Sequence, residues 1–581
     1  MAEPTIQLGG GNWAGKSGNL LGYYKEGERF YKQDFTFSRA STGTYTDKDG
    51  YIQEMPYNLL QQSNQFDTTW STQDANVTSN EAGYDGSKDA WLFSWTSSTA
   101  FLYQSISLKA SKNTISIYAK QGTSSNLRLD FVTAGFSKGA SCTFDLSNGT
   151  AGSVVQYGSS TDFTSAIDSV GSGWYRISLS GTTTATTWYH ELALTSGSVY
   201  IQNAQLVKGT SAKTYFPTTT RLNMPRVDYL NNSNGSLILE PQRTNLVPYS
   251  NDFSNAAWAK EDLSVSANAT TSPDGTTNAD LLLPNTNNID HSIYDTTSAS
   301  TEAFSVFLKA GGYNYAFLGK NNNVAADGAF FDLANGVVSQ NTSTLAASIE
   351  DYGDGWYRCS LVGSFSTIYR IICTSENGTS FIHAGDGIKG VYAWGAQVEQ
   401  GSHATTLINT QGSSVTRNAD ACNITNVADR IGQTEGTIYA EIDFKSKPEL
   451  GSPIVAIISL NNNVGNLQNT IILGIERQSG GINRFYPFVQ VSNSTVANII
   501  GTTLTDGNYK AAFAYKQNDF VLYVNGIQIG TDNSGTVPTT SQILVGQRYN
   551  NDAFKFGDGI KETKIYNTRL SNSELATLTT L

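Results

Sequence analysis

Charged residues are scarce in this chain. Only 15% of its 581 residues are Asp, Glu, Lys or Arg, against about 25% in an ordinary soluble domain. The formal net charge is −12, so the chain lacks the basic excess that attracts nucleic-acid phosphates or an anionic membrane surface. We therefore expect no binding to nucleic acid, and the acidic balance favours solubility.

Long apolar runs are also missing. No stretch of about 18 apolar residues could form a transmembrane helix, and Met1–Trp13 has neither the basic nor the apolar region of a signal peptide. The four cysteines, at positions 142, 359, 373 and 422, show no C-x-x-C spacing, which argues against a zinc or redox motif. We expect no membrane insertion, synthesis in a cytoplasm and reduced thiols.

Aromatic and turn-forming residues, by contrast, are abundant. The chain has 30 Tyr, 26 Phe and 54 Gly, a composition typical of β-sheets joined by short turns. Its length predicts roughly three to five domains.

An internal repeat occupies most of the chain. Six blocks occur twice, in one order and at a nearly constant offset, among them Gly173-Trp174-Tyr175-Arg176, which returns as Gly355-Trp356-Tyr357-Arg358. Apolar and polar residues alternate within the blocks, as they do in strands, and Asn148-Gly149 and Asn335-Gly336 mark hairpin turns. The repeat predicts two β-sandwiches of the jelly-roll type.

A third, different sandwich follows the two copies. Residues 436–444 alternate as a strand, and Asn525-Gly526 between two alternating segments predicts a hairpin with a type I′ turn. Near the end, Ser571 and Glu574 have the spacing of a capping box, which predicts a short helix around Leu575.

Several phrases resemble known families. The Asn525-Gly526 hairpin and the closing strand at 564–571 resemble the concanavalin A-like, laminin G/pentraxin-type lectin fold. The two copies resemble the carbohydrate-binding-like jelly-roll modules of tailed-bacteriophage virion proteins. The phrases that carry this second resemblance are Phe37-Ser38-Arg39-Ala40-Ser41-Thr42, Leu239-Glu240-Pro241-Gln242-Arg243-Thr244-Asn245-Leu246 and Trp394-Gly395-Ala396-Gln397-Val398-Glu399-Gln400-Gly401.

The resemblance implies an all-β chain of tandem β-sandwich (jelly-roll) domains with a C-terminal concanavalin A-like sandwich. We predict an N-terminal arm for attachment (1–55), a first module (56–217), a structured connector (218–244), a second module (245–425) and a lectin-like domain (430–581). It also implies a structural protein of a phage virion (a tail fibre, spike or head fibre) that is trimeric, contacts other virion proteins and presents its modules to host-cell glycans.

Catalytic patterns are incomplete. Hydrolases related to the third domain carry Glu-x-Asp-x-x-Glu on one strand, whereas Glu441 and Asp443 are followed by Ser446 at the third acid's position, which leaves the acid/base pair for retaining hydrolysis unfinished. The four histidines, at 190, 291, 383 and 403, show no ligand spacing, and His190 aligns with Arg370, which predicts an exposed ring. We therefore expect a non-catalytic protein.

Comparison of the copies singles out binding candidates. Trp91 aligns with Asp280, and Trp394 with Gln202. A position that accepts a polar residue in the sister copy is not expected in the core, so both indoles are predicted to be exposed. An exposed indole would contact a protein interface or a glycan, or would simply be tolerated at the surface. The cysteines align with small or apolar residues, which predicts buried thiols, with a Cys359–Cys373 disulfide as the alternative.

Calcium is a further candidate ligand. Asp85 and Asp274 precede glycine at matching places in the two copies, and Ca²⁺ prefers carboxylate and carbonyl oxygens. The alternative is a simple Asp-Gly turn.

Two other functions compete with the virion protein. One is a carbohydrate-binding accessory protein of a glycan-degrading system, and the other is a secreted bacterial adhesin. The incomplete acid pattern and the missing signal peptide, respectively, argue against them. Capsid, portal and tail genes next to the coding gene would favour the virion protein.

Overall fold

The structure, a computed structural model, is all-β, with one short α-helix among the residues that it describes. It describes residues 2–16, 18–26, 29–55, 58–108, 111–184, 186–212, 215, 217–218, 223–296, 302–320, 325–341, 343–365, 368–374, 381–445, 454–462, 467–477, 482–550 and 554–581; the predicted domain boundary at 56 lies outside them. The chain forms two compact units. The smaller is Met55–Met224, and the larger combines Met1–Glu54 with Pro225–Leu581. Within the described residues no helix has the length and apolar character that a membrane crossing needs.

The smaller unit is a sandwich of two antiparallel sheets. Across the first sheet the strands are Thr150–Ala151, Gly139–Asp145 (which also pairs with Val155–Tyr157), Asn126–Thr133, Thr186–Leu194, Ala100–Leu108 and Ser71–Gln73. Across the second they are Thr164–Gly171, Trp174–Thr183, Ser111–Gln121, Ser198–Lys208, Ala90–Trp95 and Ala75–Glu81. Alternate side chains such as Leu129, Phe131 and Ile117 fill one core between the sheets.

The second sandwich, in the larger unit, repeats this strand order. Its first sheet contains Val337–Asn341, Gly328–Asp332, Tyr315–Lys320, Tyr369–Thr374, His291–Asp295 and Ala259–Glu261. Its second contains Ala346–Asp351, Trp356–Gly363, Glu302–Gly311, Gly390–Gln400, Thr277–Pro284 and Leu263–Thr271. The duplication predicted from the sequence is therefore confirmed in the topology.

A bulge also recurs in the two copies. The register shifts after Ser116 in the first sandwich and after Ser305 in the second. The residue that absorbs the shift has a positive φ in both, +58° at Asn203 and +65° at Gly395. Asn and Gly are the residue types that adopt this conformation most readily, which explains the exchange between the copies.

The third sandwich is built from both ends of the chain. Its front layer contains Ile527–Asp532, Asp519–Val524, Gly507–Lys516, Glu435–Phe444, Gly559–Tyr566 and Ile6–Gly9. Its back layer contains Asn19–Glu26, Arg29–Ser38, Ala421–Thr425, Gln542–Val545, Ile454–Asn461, Asn469–Arg477, Phe488–Val491 and Ser494–Asn498. Short strands at Gly15–Lys16, Arg226–Asp228, Ser236–Ile238, Asn483–Phe485 and Thr503–Leu504 complete it, and both layers share one core.

The prediction of an N-terminal arm needs correction. Ile6–Gly9 pairs with the last strand of the chain, with Ile6 opposite Ile565, and Phe37 lies opposite Cys422. Ile6, Leu8, Phe35 and Phe37 belong to the core of the third sandwich. The apolar alternation of this segment serves a packed sheet, and Ala421–Thr425, assigned to the second module, belongs to that sheet as well.

Local predictions for the third sandwich are confirmed. Asn525 and Gly526, with φ of +48° and +82°, join two paired strands as a type I′ turn does. Ser571 and Glu574 form the capping box of the helix Asn572–Thr579. All four cysteines are buried and free, so they are thiols, as the comparison of the copies predicted for Cys142, Cys359 and Cys373.

Buried ion pairs explain two of the phrases that carry the phage resemblance. Asp420 accepts from Arg39 (3.1 Å) and Arg226 (2.6 Å), and Glu240 pairs with Arg226 (2.8 Å) and Arg417 (2.5 Å). Burial alone would raise the pKa of Asp420, but the charges of Arg226 and Arg39 hold it below its ordinary value. This network ties the N-terminal segment, the connector and the segment that follows the second sandwich together inside the larger unit.

Candidate functional site

Two carboxyl groups meet on the outer face of the first sheet of the smaller unit. Asp130 and Glu191 are direct partners on neighbouring strands. Because Leu129, Phe131 and Leu192 fill the core, strand alternation turns Asp130 and Glu191 to the opposite side of the sheet. Asp130 is nevertheless fully covered. We call this surface the Asp130 face.

The pair is held by an arginine and shares a proton. Arg128 donates from Nε (2.9 Å) and Nη2 (2.8 Å) to the Asp130 carboxylate. Burial, and then the charge of Asp130, raise the pKa of Glu191 to about 8. At neutral pH Glu191 is therefore protonated and donates a hydrogen bond to Asp130, which stays ionised beside Arg128.

Aromatic rings surround the pair. Tyr103 lies opposite Glu191 on the next strand and packs edge-on against Tyr189, with ring centroids 5.8 Å apart. Arg128 lies over Phe101 at 5.8 Å and over Phe136 at 5.9 Å. Flat apolar surface next to fixed donors and acceptors suits a ligand that has both apolar C–H faces and hydroxyl groups.

The same face of the second sandwich has different chemistry. Strand partners make Tyr294 equivalent to Tyr103, and Arg370 equivalent to Glu191. Arg370 donates to Glu261 (2.6 Å) and lies over the ring of Tyr294 at 4.5 Å. Gly319 takes the place of Asp130, so the carboxyl pair is specific to the first sandwich.

The prediction that Trp91 and Trp394 are exposed is wrong. Trp91 is 4% exposed and Trp394 is fully buried, packed edge-on against Phe307 at 5.3 Å. Their polar counterparts are buried too, because partners satisfy them. Gln202 donates to Asp89 (2.6 Å), Asp85 (3.2 Å) and Ser87 (3.1 Å).

Asp280, the counterpart of Trp91, accepts the backbone N–H groups of Phe253 (2.8 Å) and Asn268 (2.9 Å). A polar residue in the sister copy therefore does not indicate exposure when fixed donors surround it. The predicted binding role of Trp91 and Trp394 depended on their exposure, so it has lost its basis.

Asp85 and Asp274 both lie in Asp-Gly turns. Asp85 accepts from the backbone and hydroxyl of Ser87, and Asp274 does the same with Thr276. The following glycines have φ of +82° and +79°. In the described part of the chain, no three His, Cys, Asp or Glu side chains gather as metal ligands. Calcium binding at these turns stays a prediction.

The prediction of an exposed His190 is also wrong. The ring is fully buried, and burial lowers its pKa to about 4. The strand pairing makes Tyr369, and not Arg370, its counterpart, because Glu191 is equivalent to Arg370. A shift of one residue exchanges the two faces of a strand, so one misaligned position reversed the inference.

Comparisons with solved structures give matches at low identity and low TM-score. No family model matches this chain, and neither does any curated protein sequence. Domain 4 of AbnA, a GH43 extracellular arabinanase from Geobacillus stearothermophilus solved with arabinotriose, is 14% identical, with 28% of this chain and 73% of that chain covered and a TM-score of 0.21.

The enzymatically active domain of bacteriophage CBA120 tailspike protein 2 is 17% identical over 28% of this chain, with a TM-score of 0.22; this chain spans 27% of that one. Trypanosoma rangeli sialidase with difluorosialic acid is 10% identical over 99% of this chain and 93% of that chain, with a TM-score of 0.22. Tailspike and glycan-related proteins are thus among the solved structures that this chain is similar to.

The prediction of a non-catalytic protein is corrected by these matches, because glycoside hydrolases and an enzymatically active tailspike domain are among them. The catalytic pattern expected from the sequence places its acids along one strand. Asp130 and Glu191 come from adjacent strands, 61 positions apart by their numbers, and cross-strand partners leave no local spacing to find. In the sequence, only the alternation of apolar residues around Asp130 and Glu191 could have indicated that these two residues point to the same side of a sheet.

Proposed function

We propose that this chain is a glycan-binding protein of the phage tail or virion surface, and that the Asp130 face holds the glycan. The observation that supports it most is the covered carboxyl pair of Asp130 and Glu191 beside Tyr103 and Tyr189. Burying such a pair costs free energy, and carboxyl groups with perturbed pKa values cluster at functional sites.

Each group has a defined part in this proposal. The rings of Tyr103 and Tyr189 offer apolar surface to a sugar ring. Arg128 is 31% exposed and donates from Nε and Nη2 to Asp130. Its Nη1 would donate to a hydroxyl group of the glycan. Glu191 offers its second oxygen, which is buried and has no partner within the protein. The site carries no net charge at neutral pH, so its binding should depend little on salt.

The experiment is a glycan panel probed with the full chain and with Tyr103→Ala. We expect Tyr103→Ala to weaken binding at least tenfold, within the roughly 1–3 kcal/mol typical of a lost aromatic anchor. The matched control is Tyr294→Ala, the equivalent residue of the second sandwich, which should bind as the unchanged chain does. Equal loss in both variants, or in neither, would contradict the assignment to the Asp130 face.

The glycans that bind are also incubated with the full chain and then analysed for cleavage. This step separates binding alone from binding followed by hydrolysis.

The virion role includes assembly. The sequence phrases that resemble virion modules support a homotrimer that contacts other virion proteins, and these contacts are part of the proposal. Sedimentation at micromolar concentration tests the trimer directly, and immunogold labelling of particles tests the location in the virion. A monomer at that concentration together with unlabelled particles would contradict this part of the proposal.

A further inference from the structure

A pocket of about 160 Å³ adjoins the Asp130 face of the smaller unit. Its lining residues are Gln61, Thr69, Ser71, Tyr103, Gln104 and Ser105. Tyr103 also lies opposite Glu191 on the Asp130 face, so one ring is shared by the pocket and that face. The volume is about half the lower limit for sites of drug-sized ligands, which suits a single ring.

Direct strand partners connect the pocket to the carboxyl pair. Asp130 lies opposite Glu191, which lies opposite Tyr103. Ser71 lies opposite Tyr103 on the next strand, so the four residues form one row across four strands. Because neighbouring strands lie about 4.8 Å apart, the part of the row from Glu191 to Ser71 covers roughly 10 Å. This distance exceeds the width of one pyranose ring, and a ligand that contacts both ends of it has more than one ring.

Gln104 holds the wall of the pocket in place. Its side-chain amide donates to the backbone carbonyl of Gln61 (2.9 Å) and to Oγ1 of Thr69 (3.2 Å). Its Oε1 accepts the backbone N–H of Gln61 (2.8 Å). A wall that is already fixed by three hydrogen bonds loses little freedom when a ligand enters, which favours binding.

The pocket offers hydroxyl groups beside an aromatic ring. Ser71 and Ser105 are exposed, and Tyr103 is half-buried. Hydroxyl groups can both donate and accept hydrogen bonds, and the ring adds flat apolar surface. None of the six lining residues that the structure describes is charged. These groups together suit a neutral ring that carries hydroxyl groups, which is the chemistry of a sugar.

The second sandwich keeps only the aromatic member of this row. Ala259 lies in the place of Ser71, opposite Tyr294, which is the equivalent of Tyr103. The substitution removes the hydroxyl, and the carboxyl pair is also missing from that sandwich. The hydroxyl and the carboxyl pair are thus both specific to the first sandwich, as expected if they serve one ligand.

We propose that the Asp130 face binds an oligosaccharide laid across the strands, with one sugar at Glu191 and Arg128 and the next sugar in this pocket. The inference rests on the proposed function and adds the size and direction of the ligand. Ser71–Gln73 is the last strand of this sheet in the described part of the chain. Sugars that follow the one in the pocket therefore project beyond the sheet.

The test measures affinity against chain length on the full chain by titration calorimetry. The probes are glucose, galactose and mannose and their linear homo-oligosaccharides of two to four units. In the series that binds, we expect affinity to rise at least tenfold from the monosaccharide to the trisaccharide, because the second sugar gains the contacts of the pocket. The tetrasaccharide should bind as the trisaccharide does. Equal affinity along the series overturns the proposal, and so does the absence of binding in all three series.

A double variant, Ser71→Val with Ser105→Val, locates the second sugar. It removes two hydroxyl groups from the pocket and introduces a residue type that strands favour. It should bind the monosaccharide as the unchanged chain does and the trisaccharide at least tenfold more weakly. The matched control is Ser107→Val, exposed on the strand of Ser105 and outside the lining, which should change neither affinity. Melting curves check that each variant is folded.

The two proposals fail in different ways. A folded double variant that still binds the trisaccharide as the unchanged chain does overturns the inference about the pocket. If Tyr103→Ala weakens binding in the same experiment, the proposed function stands without the pocket. If Tyr103→Ala also binds as the unchanged chain does, the assignment of the glycan to the Asp130 face fails as well.

Discussion

Asp420 is fully buried and pairs with two arginines at once. Its oxygens accept from Arg39 and Arg226, and removing one member of a buried ion pair leaves an uncompensated charge. Asp420→Ala should therefore destabilise the larger unit by about 3–5 kcal/mol, measured by chemical denaturation. Asp429→Ala, an exposed partner of Arg430 at 3.8 Å, should change stability by less than about 1 kcal/mol. Similar losses in both variants would contradict the prediction.

Trp394 belongs to a second apolar cluster of the larger unit, with Ile52, Phe307 and Trp356. Its truncation leaves a large cavity that the sheet cannot close, so Trp394→Ala should cost about 3–5 kcal/mol. Ile388→Ala, 78% exposed in the same sandwich, should stay within about 0.5 kcal/mol. A folded Trp394→Ala protein of nearly unchanged melting temperature would show that the indole is not part of the core.

Glu191 should make the smaller unit sensitive to pH. Its folded pKa is raised to about 8, while an unfolded Glu titrates near pH 4.3, so between these values the folded state holds a proton that the unfolded state has released. The free energy of unfolding should therefore fall as pH rises from about 5 to about 8. Urea unfolding followed across this range should show a smaller fall for Glu191→Gln. An equal fall in both proteins would assign the pH dependence to other groups.

At the residue scale, sequence reasoning succeeded where chemistry is local and failed where it depends on exact pairing. The thiols could be predicted because Cys142 replaces a small residue, Ala329, in the sister copy. The partners of Asp130 and His190 could not, because both depend on cross-strand register, and a shift of one position reverses which face a side chain occupies.

The element that the sequence described least well is the N-terminal segment. Its strands alternate like any others, but alternation does not indicate which distant strand is the partner. Here Ile6 lies opposite Ile565, and Phe37 lies opposite Cys422. The type I′ hairpin and the capped helix, in contrast, depend on neighbouring residues and could be predicted completely.

Removing residues 1–12 should destabilise the larger unit without affecting the smaller one. The deletion takes Ile6 and Leu8 out of the core and unpairs one edge of Gly559–Tyr566. Burial of the two side chains alone accounts for about 3–6 kcal/mol. Hydrogen exchange should show lost protection in 559–566, while a deletion of residues 1–4, which spares the strand, should preserve it. Full protection after the longer deletion would contradict the strand pairing.

At the scale of the whole molecule, the chain should unfold in two steps. Met55–Met224 and the remainder are separate compact units. The smaller unit has one core between its two sheets, and the larger unit has two, in the second and third sandwiches, with the buried ion pairs of Asp420 and Glu240 in the same unit. Calorimetry of the full chain should resolve two transitions. Asp420→Ala should lower only one of them, and a core substitution in the smaller unit, Phe131→Ala, should lower only the other. A single transition that both substitutions lower equally would contradict the division.

The strand that joins the two ends of the chain also sets an order of events during synthesis. Ile6–Gly9 leaves the ribosome more than 550 residues before its partner around Ile565. At about 5–20 residues per second, the first strand waits roughly half a minute to two minutes for it. Met55–Met224 has all its strands long before then and can fold while translation continues. The nascent chain thus carries a finished sandwich while Ile6–Gly9 can pair with Asn19–Glu26 on one edge only. Its other edge stays open during this interval, and a chaperone that covers this edge would protect it from aggregation.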